Sequence, residues 1–129
     1  MAYSSRRFTV PATTDGTGAA TVYSPYFSGF IQSIQYVKTD FANGVDFTIT
    51  ADEAGDSIVT LGNQDTATIS RPRWATQSTA GVESRYVAGD ALSVVRDKVA
   101  LGRDRVKIVI ASGGDTKTGA FVITVSDRR

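Results

Sequence analysis

The chain contains neither cysteine nor histidine. Without cysteine there are no disulfides, no thiol nucleophile and no thiolate metal site. Without histidine it lacks the side chain that most readily moves a proton near neutral pH, which is also the commonest ligand for transition metals. Ser-His and Cys-His catalysis and nearly every zinc site are thereby excluded. What remains is carboxylate, lysine, tyrosine or serine-lysine chemistry, so the expectation is a protein that is not an enzyme and carries no cofactor. Long apolar runs are missing as well. No stretch of about 20 apolar residues occurs, so no bilayer-spanning helix and no membrane partner are expected. Residues 1–7 carry Ser4, Ser5, Arg6 and Arg7 with no apolar segment behind them, unlike a signal peptide, and folding in the cytosol is expected. Net charge is nearly absent, at +1, which argues against nucleic-acid binding through bulk charge.

What is present is the material of one globular domain. The 129 residues are 41% hydrophobic, enough for a real core and too apolar for a disordered chain. Charge is unevenly spread. Asp40, Asp46, Asp52, Glu53, Asp56 and Asp65 give residues 39–70 a local charge of −6, and residues 71–107 carry +4. Such segments could attract each other between neighbouring subunits, or simply form two solvated faces.

Period-two alternation of apolar and polar residues dominates, as in half-buried strands. In Val45-Asp46-Phe47-Thr48-Ile49-Thr50-Ala51 the odd positions are apolar. Val106, Ile108 and Ile110 repeat the pattern, as do Phe121, Ile123 and Val125. Residues 30–38 read as a longer strand, apolar on both faces for part of its length. Weaker strands are expected at 7–10, 19–23, 57–61, 66–70 and 91–96, and one helical turn near 97–101. Turn chemistry separates them: Thr13-Thr14-Asp15-Gly16-Thr17-Gly18 to close a first hairpin, then Ala42-Asn43-Gly44, Glu53-Ala54-Gly55-Asp56 and Leu61-Gly62-Asn63. A Gly-rich connection over 112–119 joins the last two strands. The fold class predicted is all-β: a single-domain β-sandwich or jelly roll of about 8–9 short antiparallel strands. It places a flexible N-terminal arm at 1–7, the sandwich at 8–126 and a C-terminal tail at 127–129.

Residues 71–90 break the rhythm. A structureless loop of that length is uncommon in a compact domain unless it has a task. It begins Arg71-Pro72-Arg73-Trp74, with the only tryptophan, and continues to Arg85 and Tyr86. Trp, Tyr and Arg are enriched at interface hot spots. Two readings stand side by side: an arm that docks on a neighbour, or a loop folded over its own sandwich with Trp74 plugging one end of the core. The candidate interface comprises Arg71, Arg73, Trp74, Arg85 and Tyr86, with Tyr3, Arg6 and Arg7 from the N-terminal tail.

Other motifs carry less. Asp40 to Asp46 places oxygen donors around a glycine turn, but no bidentate Glu stands where a calcium loop needs one. Asp52, Glu53 and Asp56 could pair across a sugar as acid and base, yet nothing in the sequence raises one pKa, and an exposed turn is the simpler reading. The 113–119 connection contains Lys117 but lacks the GxxxxGK[ST] order and a following helix, so it is a hairpin connection rather than a phosphate cradle. Ser112 has no GxSxG setting. Tyr23, Tyr26, Phe27 and Phe30 could stack on a sugar or base, but Pro25 and Gly29 bend the segment and core packing is the expected use.

Two longer stretches resemble a known group. Phe27-Ser28-Gly29-Phe30-Ile31-Gln32-Ser33-Ile34-Gln35-Tyr36 with Gly44-Val45-Asp46-Phe47-Thr48-Ile49-Thr50 is similar to small virion proteins of tailed bacteriophages and prophages. So are Arg71-Pro72-Arg73, Asp104-Arg105-Val106-Lys107-Ile108-Val109-Ile110 and Gly113-Gly114-Asp115-Thr116-Lys117-Thr118-Gly119. The resemblance covers residues 20–126, and its motifs are fold-like rather than chemical. It implies a capsid decoration (cement) protein on the outer surface of a phage head, made in the bacterial cytoplasm. Its partners would be major capsid protein subunits and copies of itself, a homotrimer at three-fold or quasi-three-fold sites being favoured. The alternatives are a head–tail connector or tail component of the same virion, and a carbohydrate-binding β-sandwich module.

Overall fold

The computed structural model describes residues 5–127. They form an all-β, single-domain fold without helices. In chain order the strands are β1 (Ser5–Thr13), β2 (Ala20–Tyr23), β3 (Phe27–Lys38), β4 (Val45–Ala51), β5 (Ser57–Gln64) and β6 (Thr68–Ser70). They continue with β7 (Arg73–Ala75), β8 (Arg96–Lys98), β9 (Ala100–Asp104), β10 (Val106–Ala111) and β11 (Thr118–Ser126). The first sheet has the order β1-β11-β3-β6, with β9 pairing the opening of β3 on the same side as β6; the second is β2-β10-β4-β5. All sheet pairings are antiparallel.

The alternating segments supply the core. Phe47, Ile49 and Ala51 of β4 lie opposite Ile110, Ile108 and Val106 of β10, and all six are buried. Across the core, Phe121 and Ile123 of β11 face Tyr36 and Ile34 of β3. The two sheets meet at edge-on aromatic contacts: Phe47 stands 4.6 Å from the Tyr36 ring and 4.9 Å from the Phe121 ring. Phe41 completes this group, stacked 6.1 Å from Tyr36. Its ring lies where a side chain on Gly119 would project; a Cβ there would approach Phe41 to 2.5 Å.

Bulges explain what alternation alone does not. Ser33 pairs with Thr124 and Ile31 with Val125, leaving Gln32 as an inserted residue. Ile31 and Ile34, three apart, can therefore both face the core, which accounts for the apolar residues on both faces of this stretch. The expected turn at Leu61-Gly62-Asn63 is a bulge inside β5. Gln64 pairs with Val45 and Leu61 with Phe47, and Asn63 takes the left-handed conformation at φ 55°. Turns and bulges call on the same left-handed residues, so the local signal is shared.

Other expectations need correction. Eleven strands form rather than 8–9, because short segments at 73–75, 96–98 and 100–104 find partners, while 91–95, expected within a strand, is a turn with one isolated bridge at Val94. Residues 5–7, assigned to a flexible arm, belong to β1 and pair with Ser126, Val125 and Thr124. The 13–18 turn does not close a hairpin: β1 pairs β11 and β2 pairs β10, so it crosses between sheets. The 112–119 connection likewise joins strands of different sheets and is no hairpin, and its last two residues already belong to β11. The two crossings clasp each other, with the Thr14 N–H donating to Lys117 O and the Gly113 N–H to Gly18 O, both at 2.9 Å. No helical turn forms at 97–101, because Asp97 and Lys98 pair with β7 and Leu101 pairs with Gly29 of β3.

Candidate interaction surface

The irregular segment is a forked arm. Its stem is the two-stranded ribbon β7–β8, with Arg73, Trp74 and Ala75 opposite Lys98, Asp97 and Arg96. The stem divides where three segments meet: Thr76 N–H donates to Val95 O, Ser84 N–H to Thr76 O, and Val95 N–H to Ser84 O, at 2.8–2.9 Å. One branch continues through the Gln77–Glu83 bridge to a turn closed by Gly81 N–H on Ser78 O. The other continues through the Arg85–Val94 bridge to a turn in which the Asp90 carboxylate accepts the Leu92 N–H at 2.9 Å. An expected structureless loop thus becomes a hydrogen-bonded projection whose backbone groups pair within the arm. Too few residues alternate in each branch for the pattern to register as a strand.

Apolar side chains gather on the branches. Val82, Tyr86, Val87 and Leu92 are all largely exposed, Leu92 at 97% and Tyr86 at 78%. A single exposed apolar residue is ordinary, but several on one short projection mark a surface that gains by being covered. Sequence reasoning identified Tyr86 and missed Val82, Val87 and Leu92. The available signal was a leucine set inside the turn Gly89-Asp90-Ala91-Leu92-Ser93, among residues that otherwise favour exposure.

The remaining predicted interface residues divide among different elements. Trp74 packs partly buried against the core, and its indole N–H donates to Ser57 O at 2.7 Å. It therefore anchors the stem to its own sandwich, as the second sequence reading expected of Trp74, while the branches beyond it are exposed. Arg73 is half-buried and donates to Pro72 O at 2.8 Å; Arg71 is exposed between β6 and β7. Arg85 ties the two branches together, 3.1 Å from Glu83 of the other branch and 2.9 Å from Asp90 O of its own. Arg6 and Arg7 lie on β1 at the edge of the first sheet, the Arg6 guanidinium 5.5 Å over the Phe8 ring. Tyr3, like residues 128 and 129, lies outside the described residues.

The acidic stretch is largely committed within the chain. Asp40 accepts the Thr118 N–H, Asp46 that of Asn63 and Asp65 that of Gly44. Asp40 and Asp46, paired in sequence as a faint cation loop, thus hold different strands. The backbone N–H of Thr118, against a smaller opposing effect of burial, lowers the Asp40 pKa. At one end of the sandwich a polar staple forms. The Arg105 guanidinium lies 3.9 Å over Tyr23 and 4.8 Å over Tyr26, and its Nε reaches Asp52 at 2.8 Å. Tyr26 donates to Glu53 at 3.0 Å, which raises its own pKa. Tyr23 and Tyr26, expected in the core, stay partly exposed on this staple, whereas Phe27 is buried. Asp52 and Glu53, weighed in sequence as an acid–base pair, each take a partner here, Arg105 and Tyr26 respectively.

Beneath the staple, buried Asp104 accepts the N–H groups of Glu53, Arg105 and Ala54. These donors fix the 52–56 turn against the junction of β9 and β10. Burial presses the Asp104 pKa upward, but the backbone donors together hold it below the ordinary carboxylate value.

No protein-family model and no curated protein sequence matches the chain. One solved structure, described as "Crystal Structure of FLHE", is similar over 97% of this chain and 98% of that one, at 8% sequence identity and a TM-score of 0.43.

Proposed function

We propose that this protein is a non-enzymatic assembly component that docks on other protein subunits through its forked arm. The observation that carries this reading is the exposure of Val82, Tyr86, Val87 and Leu92 on a hydrogen-bonded projection. An arm with its backbone already paired loses little conformational entropy on docking, and covering one large apolar side chain contributes about 1.5–3 kcal/mol. The sheet edges at β5, β6 and β1 are poorer candidates. Edge strand β5 carries bulges, β6 is three residues long, and β1 has Arg6, Arg7 and Pro11 along it. Those are features that discourage strand addition.

The resemblance to small phage virion proteins makes the specific reading a capsid decoration protein, clamping major capsid subunits from outside the head, as a trimer where the lattice has three-fold symmetry. A carbohydrate-binding role has less support, since the faces of Tyr23 and Tyr26 are engaged by Arg105.

The test is immunogold electron microscopy of phage particles with antibody against this chain, comparing wild type with the Tyr86→Ser, Leu92→Ser double variant. Gold over the heads is expected for wild type and loss of it for the variant. Gold confined to neck or tail would move the protein to the connector or tail reading. Unlabelled particles would remove the virion reading, and equal head labelling by the variant would remove the arm as the docking element.

A further inference from the structure

A hollow of about 390 Å³ opens between the arm's stem and the β4–β5 turn, lined by Asp56, Trp74, Ala75 and Gln77. Its two walls are held by the chain's own bonds, one of which ties them to each other at Ser57. Asp104 and the Arg105–Asp52 ion pair hold the turn, and the Trp74 indole N–H bond to Ser57 O holds the stem. The polar groups in the lining are unspent. Among the described residues, neither the Asp56 carboxylate nor the Gln77 carboxamide takes part in a hydrogen bond or ion pair. That contrasts with Asp40, Asp46, Asp52 and Asp65, each of which is bonded within the chain.

We infer that this hollow receives the cationic side chain of an arginine or lysine from a partner protein. A carboxylate and an indole ring together match a cation: the carboxylate accepts charge-assisted hydrogen bonds, and the ring attracts positive charge. The Gln77 carboxamide oxygen supplies a further acceptor for a multi-donor group such as guanidinium. The carboxylate can accept hydroxyl donors from a sugar as well, but its net charge attracts a cation in addition and repels an anion. The inference deepens the docking reading and rests on it only in taking the cation to belong to a protein. The branch tips would supply apolar burial, and the hollow at the arm's base would supply selectivity for a basic residue.

The single tryptophan makes the site its own reporter. The experiment titrates the full chain with N-acetyl-arginine amide and N-acetyl-lysine amide, following Trp74 fluorescence, with N-acetyl-glutamine amide and methyl glucoside as comparators. A saturable change with the basic amides alone is expected, in the ~millimolar range for so small a ligand. Asp56→Asn should weaken it about tenfold, the scale of one lost charged hydrogen bond. Gln77→Ala should weaken it less. Both side chains are exposed, so neither change should alter the urea midpoint, whereas Trp74→Ala would disturb packing and is avoided.

No response to either basic amide, an equal response to the glutamine amide, or a response unchanged by Asp56→Asn would overturn the inference. Saturable glucoside binding indifferent to Asp56→Asn would assign the hollow to sugars instead. Unlabelled particles of the wild type with intact arginine-amide binding would remove the capsid reading and leave the cation site standing. Intact labelling without amide binding would remove only the cation site.

Discussion

Asp104→Asn tests the polar network that shapes the 52–56 turn. In the native chain Oδ1 accepts the N–H of Glu53 at 2.8 Å and of Arg105 at 2.7 Å, and Oδ2 accepts that of Ala54 at 3.2 Å. Asparagine keeps one carbonyl oxygen for the first two, but its amide nitrogen, itself a donor, then faces the Ala54 N–H. One charge-assisted bond disappears and two become neutral; the former contribute about 1.5–3 kcal/mol and the latter about 0.5–1.5. The smaller cost of burying a neutral amide offsets part of this, leaving a net loss of about 2 kcal/mol. For a chain of 129 residues that lowers Tm by roughly 7 °C.

The same substitution has a pH signature. The folded-state pKa of Asp104 is lowered, so its stabilisation is fully present above the unfolded-state value near ~4 and is lost as pH falls through the lower folded value. Urea unfolding followed by Trp74 fluorescence, stepped from neutral pH into acid, should show the gap between wild type and variant closing in that window. Equal stabilities at neutral pH, or a gap that stays constant into acid, would refute the reasoning.

Two further predictions concern the core. Tyr36 carries a buried hydroxyl with no hydrogen-bond partner among the described residues, and burial raises its pKa. Tyr36→Phe removes an unsatisfied group without changing the packing, and should stabilise the fold by about 1 kcal/mol in urea titration; a destabilised variant would show that the hydroxyl is satisfied in solution. Gly119→Ala drives a Cβ into the Phe41 ring, so a loss of about 1–3 kcal/mol is expected from overpacking. An unchanged midpoint would mean that Phe41 moves aside freely.

Much of the architecture was legible because the side-chain period of a strand is local. The alternation of Val45 to Ala51, Val106 to Ile110 and Phe121 to Val125 identifies those strands and their buried faces without reference to anything distant. The turn at 53–56 is equally local, closing the β4–β5 hairpin between strands adjacent in sequence. Where a signal serves two structures the reading slipped. Leu61-Gly62-Asn63 is a bulge rather than a turn, and 13–18 and 112–119 cross between sheets rather than closing hairpins.

What the sequence alone determined is the class of this protein: all-β, one domain, free of thiol and imidazole chemistry, with Arg71 to Tyr86 set apart from the rest. Tertiary structure decided which strands share a sheet, because β1 finds β11 and β2 finds β10 across most of the chain, and no local pattern encodes a partner so far away. It also decided the arm. A stem dividing into two short branches depends on hydrogen bonds among Thr76, Ser84 and Val95, and each branch is too short to leave a period in the sequence. The hollow beside Trp74 has the same origin: Asp56 and Gln77 become neighbours only because Asp104 pins one wall and the indole anchors the other.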